Sequence, residues 1–323
     1  MKFLCIGMMV CDTLLSPVPD NILDIDGACI TTPTVSCGGD ALNVALGLSK
    51  LDNRVSIIGR VSEDEKGQKI LNVCRQHRIN IDHVICDRNH QTAASYVLID
   101  ERGERHFLSE NTIFDVIDSD DVALNQLENA DIVYIGSAMA MQQMDQGGIA
   151  DVFNRAKKLH KITAMDAAVS LKKKSVDWFH LLIPAFEKTD IFFPSLDEAR
   201  IITGKENPEE IINYFRGFGM KIFGIKMGGR GCFVTDFIRQ RYVPAVKNIS
   251  VVDTTGAGDS FMAGLLCGVS HGMDVFASTE FASCVAARNI GVVGGTEGIP
   301  DFKNAFLYYE SVKNQLSSDF ERV

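Results

Sequence analysis

Val252-Asp253-Thr254-Thr255-Gly256-Ala257-Gly258-Asp259-Ser260-Phe261-Met262-Ala263-Gly264 decides how this chain is read. Ahead of it, Ile249 to Val252 reads as a short apolar strand. After the glycine turn, a helix carries Phe261, Leu265 and Val269 on one face. Glycines just before a helix let free backbone N–H groups converge on one point, where the helix dipole also favours negative charge. Asp259, in the first turn, then stands beside any anion held there. An anion cradle next to a carboxylate base is what phosphoryl transfer to a hydroxyl requires.

A glycine pair before a helix also serves plain capping, so the alternatives have to be tested. The dinucleotide fingerprint is not met, because Phe261 stands where its third glycine belongs. No Gly-x-x-x-x-Gly-Lys-Ser/Thr loop occurs anywhere in the chain.

A second segment, Ser36-Cys37-Gly38-Gly39-Asp40-Ala41-Leu42-Asn43-Val44-Ala45, adds to the first. Gly38 and Gly39 allow a ligand to approach the backbone closely. Asp40 and Asn43 sit three apart at a helix start and can face the same ligand; Asp40 equally suits a helix cap. Together the two segments resemble the N-terminal Gly-Gly-x-x-x-Asn-x-Ala and C-terminal Asp-Thr-Thr-Gly-Ala-Gly-Asp signatures of the ribokinase-like (PfkB) sugar kinases. The resemblance extends from Phe3 to about Pro300.

The 323 residues are 46% hydrophobic, enough for one large α/β domain or two small ones. A net charge of −10, dispersed along the chain, argues against nucleic acid or an anionic membrane as the main partner. Nine cysteines include no Cys-x-x-Cys pair, and several lie in apolar runs. Buried reduced thiols in a cytoplasmic protein explain that pattern better than disulfides or zinc. The start, Met1 to Gly7, reads as a buried strand rather than a signal peptide, and no apolar run approaches the ~20 residues of a membrane span.

Expected core strands are Phe3–Gly7, Val55–Gly59, Ile132–Gly136, Ile162–Asp166, Ile191–Pro194 and Ile222–Lys226. Expected helices are Ala41–Leu51, Gly67–His77, Gly147–Leu159, Leu196–Thr203, Pro208–Phe218 and Asp259–Ser270. Repeated βα units with near-continuous apolar strands predict an α/β fold, a mostly parallel sheet covered by helices on both faces. Ser95–Asp100 and Glu104–Leu108, with a turn at Glu101-Arg102-Gly103, read as a β-hairpin. The family resemblance makes this hairpin part of a small β lid, formed by about 13–35 and 91–112, on a single kinase domain spanning 1–323. In many members such a lid also pairs two subunits, which makes a homodimer the expected assembly.

The resemblance also implies roles, residue by residue. Asp259 is the general base, with the backbone of Gly256, Ala257 and Gly258 holding the phosphoryl charge. At a helix N-terminus Asp259 should stay ionised. Asp12, Gly38, Gly39, Asp40 and Asn43 face the sugar, and Arg105 on the hairpin could receive a carboxylate or phosphate. Lys226, Gly228 and Gly231 match the glycine loop of the ATP cleft. Ala286 lies in Phe281–Ala287, which looks like the helix beside adenine but departs from the frequent Phe-Ala-Asn/His form. Glu198 matches the residue that organises Mg²⁺ through water, although Ser195 replaces the usual asparagine and the two also fit a capping box. Asp253, Thr255 and the backbone near Gly294-Gly295 match a monovalent-cation loop of some relatives, which adds potassium to ATP and Mg²⁺ as an implied cofactor.

The expected activity is ATP-dependent phosphorylation of a hydroxyl on a free sugar or sugar acid, of the fructose, ribose or 2-keto-3-deoxygluconate type. Carboxylates facing the ligand favour vicinal hydroxyls and oppose a phosphate. The alternatives are a nucleoside kinase of the same fold and a non-catalytic sugar-binding regulator on a kinase scaffold.

Overall fold

Alternating side chains on the strands of one sheet supply two separate cores. In β1 (Lys2–Ile6), Phe3 and Cys5 enter one core while Leu4 and Ile6 enter the other. In β9 (Ile132–Ala138), Ile132 and Tyr134 are set against Val133 and Ile135 in the same way. Successive strand residues point to opposite faces, so a strand apolar throughout must be covered on both. The computed structural model describes residues 1–31, 33–100, 102, 105–169 and 176–317.

The main sheet has eight strands. From one edge they run β14 (Gln240–Val243), β13 (Cys232–Thr235), β12 (Ile222–Lys226), β11 (Ile191–Phe192), β10 (Ile162–Ala167), β9, β1 and β4 (Arg54–Ile58). The run from β12 to β4 is parallel, and β12, β13 and β14 are joined antiparallel at the edge. Packed in one core are α1 (Asp40–Lys50), α2 (Glu65–Gln76), α8 (Ala257–Ser270), α9 (Val275–Asn289) and α10 (Phe302–Ser317). The other core takes α3 (Leu124–Glu128), α4 (Ile149–Lys158), α5 (Trp178–Phe186), α6 (Leu196–Thr203) and α7 (Pro208–Phe215). Helix starts follow their local chemistry. Asp64 accepts from the Gly67 N–H at 2.7 Å ahead of α2, and Asp274 accepts from the Ala277 N–H at 2.8 Å ahead of α9.

A separate four-stranded sheet is ordered β3 (Thr34–Gly38), β2 (Val10–Leu15), β7 (Ala94–Ile99) and β8 (Arg105–Glu110). Its first strand begins at Val10, earlier than the sequence suggests. The described residues of 16–33 hold no strand, only a 3₁₀ turn at Ile22–Asp24. Pro17, Pro19 and Pro33 lack the N–H that a ladder needs. Glu101, Gly103 and Glu104 of the expected hairpin turn lie outside the described residues. Two short strands, β5 (Arg60–Ser62) and β6 (Ile85–Asp87), pair in parallel, with Arg60 bridging Asp87 at 2.9 Å and Asp121 at 2.6 Å.

The expected strand Ile249–Val252 does not form. The amides of Val252 and Asp253 both donate to the Ile290 carbonyl at the end of α9, at 2.8 and 3.2 Å, and no strand among the described residues pairs with them. Helix α4 also starts two residues late, after a π turn over Met144–Gly148 in which Gly147 takes φ +129°. No helix among the described residues is long and apolar enough to cross a membrane.

Helices α1 and α8 touch where both residues are small. A Cβ at Gly47 would lie 2.7 Å from that of Ala263. On the other face, Phe186, Phe192, Phe215 and Phe223 form an aromatic cluster in which Phe215 stacks on Phe223 at 4.4 Å and meets Phe186 edge-on at 5.1 Å. Phe215→Ala should cost about 3–5 kcal/mol, the range for truncating a buried phenylalanine. Urea unfolding monitored by circular dichroism measures it.

Candidate active site

The carboxyl ends of the parallel strands and the starts of α1 and α8 meet at one cleft, the end of an open α/β sheet where ligands bind. Gly256 sets the geometry on one side. It takes φ +68°, and a Cβ there would sit 2.0 Å from the Gly295 carbonyl oxygen. Only glycine satisfies both conditions. Asn289, buried at the end of α9, ties the turn down by donating to the Gly295 carbonyl at 2.9 Å and the Thr255 carbonyl at 3.4 Å, while accepting from the Gly298 N–H. Ser260 is the first residue to donate in the helical pattern, to Gly256. First-turn amides therefore point into the cleft without an i−4 acceptor. Ala257 N–H makes a 3.2 Å turn bond to Thr254.

Asp259 stands in that first turn, and Asn43 of α1 donates to its Oδ2 at 2.7 Å. The asparagine thus meets the carboxylate directly, and its own Oδ1 has no partner among the described residues. Asp40 accepts from Ser137 at 2.9 Å. Asp12, on β2, lies against the other glycines: a Cβ on Gly38 would be 2.6 Å from its Oδ2. The close approach at Gly38 is made by a side chain of the protein. Arg105 pairs with Ile99 in the strand register, and its side chain lies outside the described residues.

Behind Asp259, Lys226 at the end of β12 donates to Asp166 Oδ2 at 2.5 Å. Asp166 ends the apolar part of β10 and also accepts from the Ala167 N–H. Charges on Asp40, Asp166, Glu198 and Asp259 act on one another across this space. Burial pushes Asp259 up to about 6, against the Asn43 hydrogen bond and Lys226, which pull it down. Burial, then the Asp259 charge, pushes Asp40 up to about 7. Burial also raises Asp166 to about 7 and Asp12 to about 6. The helix start does not hold Asp259 in the ordinary carboxylate range, yet the group is still mostly ionised at neutral pH.

Glu198 and Ser195 complete a capping box, with the Ser195 N–H donating to Glu198 Oε2 at 2.7 Å. One oxygen of Glu198 is therefore committed to helix α6. Asp253 is buried and accepts from the Thr255 N–H at 2.9 Å and the Gly294 N–H at 3.1 Å. It pins the glycine turn to the Gly294-Gly295 loop.

A cavity of about 460 Å³ opens beside Gly258, lined mainly by apolar side chains. Lys226, Gly228, Gly231 and Ala286 all line it, with Phe261 and Ile249 completing the wall. The segment Ile249–Val252 thus contributes a cleft wall instead of a strand. Sequence reasoning passed over Asp166, Ser137, Asn289 and Tyr134. Tyr134 is fully buried beneath the carboxylates, and its hydroxyl has no partner among the described residues. The signal for Asp166 was a carboxylate ending an apolar strand. The other three become legible only once distant segments meet.

An ionised carboxylate beside a glycine-built helix start, with an apolar cavity adjoining, defines a site for phosphoryl transfer. The chain belongs to the pfkB family of carbohydrate kinases, whose family model matches residues 4–301. It is 26% identical over 259 residues to an uncharacterised sugar kinase of Archaeoglobus fulgidus, covering 79% of this chain and 98% of that protein. It is 27% identical over 250 residues to fructokinase-2 of Zea mays, covering 75% and 74%. A ribokinase of Arabidopsis thaliana, solved with ribose and ATP, superposes with a TM-score of 0.80 at 21% identity over 96% of this chain and 98% of that one. The protein is a phosphotransferase acting on a sugar hydroxyl.

The raised carboxylates carry a stability consequence. An acid whose folded pKa lies above its unfolded value holds its proton more tightly when folded. That contribution is full below about pH 4, the unfolded value, and is lost as pH rises through 6 to 7. Asp40→Asn should therefore raise the Tm at about pH 8, by about 2–4 °C for each kcal/mol recovered. The gain should vanish by about pH 4, and thermal unfolding at the two pH values checks it.

Proposed function

We propose that the protein is an ATP- and Mg²⁺-dependent kinase of free sugars, with Asp259 as the general base. The carrying observation is the single orientation that Asn43 imposes on the Asp259 carboxylate beside the Gly256–Gly258 turn. With Oδ2 engaged, Oδ1 is left to take the proton from an acceptor hydroxyl. Deprotonation makes that oxygen the nucleophile as the γ-phosphoryl group arrives in line. Amides at the start of α8 meet the charge on the phosphoryl oxygens, and Lys226 adds a positive charge beside them. The apolar cavity along β12, β13 and α9 suits an adenine ring.

Carboxylates are hard oxygen donors of the kind Mg²⁺ takes. Among the described residues no three His, Cys, Asp or Glu side chains form a self-contained metal cage. That donor set fits a cation carried in by the triphosphate, with Glu198 holding it through water. Bound there, Mg²⁺ would neutralise phosphate charge. The Asp253 carboxylate with the carbonyls around Gly294-Gly295 forms a compact oxygen-rich loop suited to a monovalent cation such as potassium.

On the sugar side, Asp12 and Asp40 offer acceptors to vicinal hydroxyls and repel a phosphate. This favours fructose, ribose or a related free sugar over a sugar phosphate. The small sheet carrying Asp12 acts as the lid that keeps water from the transferring group. Its register places Val35, Tyr96 and Leu108 on one face, all exposed, and this apolar row is the surface through which two copies pair. Nine free thiols fit a cytoplasmic setting.

ADP release from MgATP with fructose, ribose, 2-keto-3-deoxygluconate, their phosphates and nucleosides tests the reading. Activity is expected on a free sugar, and Asp259→Asn should lower kcat by about 10²–10⁴ in a folded protein. Turnover confined to phosphorylated sugars would overturn the roles of Asp12 and Asp40. The acid limb of the pH profile should fall near pH 6, where Asp259 takes up its proton. A kcat that stays level through that range would remove Asp259 as the base.

A further inference from the structure

We propose that Cys11 and Cys37 form a reversible redox pair, closing to a disulfide across the base of the small sheet under peroxide and reopening with a dithiol reductant. The two are direct cross-strand partners in the antiparallel β2–β3 pair. Cys11 donates its N–H away from β3, to the Ala93 carbonyl at 2.9 Å, so Cys11 and Cys37 occupy a non-hydrogen-bonded position. Such positions bring Cα atoms to about 4.5 Å, within the roughly 4.4–6.8 Å that a disulfide spans.

As direct cross-strand partners the two thiols act on one another, which draws Cys11 down and pushes Cys37 up. The Cys37 thiol, helped by Lys69 and Lys66 on α2 against burial and Asp12, brings the Cys11 thiol down to about 7. Other buried cysteines behave oppositely: burial pushes Cys267 up to about 11 and Cys74 and Cys284 up to about 12. Of the two, Cys11 is the more readily ionised and is buried, while Cys37, pushed up by its partner, is partly open to solvent.

The chemistry balances with hydrogen peroxide as the oxidant. The Cys11 thiolate attacks one peroxide oxygen, the O–O bond breaks, and with one proton taken up a sulfenic acid and water result. The Cys37 sulfur then displaces the sulfenic oxygen, which leaves with the Cys37 proton as a second water. Each sulfur gives up one electron and the peroxide accepts two. Dithiothreitol reverses the bond by thiol exchange.

The crosslink would sit one residue from Asp12 on β2 and one from Gly38 on β3, where the Asp12 carboxylate lies against Gly38. Resting on the kinase reading above, the oxidised form should show a several-fold higher KM for the free sugar, with KM for ATP unchanged.

The test treats the full-length protein with hydrogen peroxide, alkylates the remaining thiols and maps its peptides. The expected result is a peptide linking Cys11 to Cys37, lost on dithiothreitol treatment and absent from Cys37→Ser, while Cys74→Ser still forms it. A stable sulfinic acid at Cys11, a Cys37–Cys74 link or untouched thiols would each overturn the pair. The linked peptide is read without any substrate, so failure of the sugar assignment would leave this result standing. A rise in KM that persists in oxidised Cys37→Ser would overturn the effect on sugar binding.

Discussion

The ion pair between Lys226 and Asp166 has to hold its place among carboxylates that repel one another. Asp40, Asp166, Glu198 and Asp259 all bear on the same space, and burial raises three of them towards neutrality. Without a cation at the end of β12, further protonation would be the cheap response, and Asp259 would lose the charge a base needs. Lys226 also sits where strand, glycine turn and apolar cavity join, close enough that a Cβ on Gly258 would be 3.4 Å from its Nζ. The electrostatics around Asp259 and one wall of the apolar cavity therefore both depend on this one side chain. A cluster of this kind is costly to fold and useful to keep, a common arrangement at sites that move protons.

Asn43 is the second joint. It belongs to α1, near the residues assigned to the sugar, yet its hydrogen bond goes to Asp259, 216 residues further along the chain. The two signature segments thus meet in space, joined by this hydrogen bond. On the proposed reading sugar binding and proton transfer share a helix pair, and Asn289 anchors the turn that completes it. Phosphoryl transfer depends chiefly on positioning, and here positioning comes from buried polar groups locked by their neighbours.

Much of this was legible in the sequence because it is local. The glycines, the acid in the first turn of α8, the apolar strands and the Ser195–Glu198 cap all announce themselves within a few residues. Helices α3, α5 and α10 escaped the reading, and α9 was marked only over Phe281–Ala287, by the family resemblance. In α9 almost every position is buried, so no polar face marks the period, and α5 carries Pro184 inside it. Val251 and Val252 have β-forming side chains but no strand to pair with, and so Ile249–Val252 became a cleft wall. Asp166 and Lys226 are 60 residues apart, and only the parallel order of β10, β11 and β12 makes them neighbours. A carboxylate raised by its surroundings cannot be inferred until those surroundings exist.

The contact of Gly47 with Ala263 works as a mechanical stop. It lies about one helical turn from Asn43 and two from Asp40, at ~1.5 Å per residue about 6 and 10 Å away along α1, and is not among the residues assigned to binding or proton transfer. Yet the closeness permitted there fixes how near the starts of α1 and α8 can come, and so the length of the bond between Asn43 and Asp259. A bulkier residue at this fulcrum would splay the helix pair like a wedge in a hinge. On the proposed reading, the spacing between proton acceptor and sugar is thus gauged outside the cleft, and activity could be detuned there while the pockets stay intact.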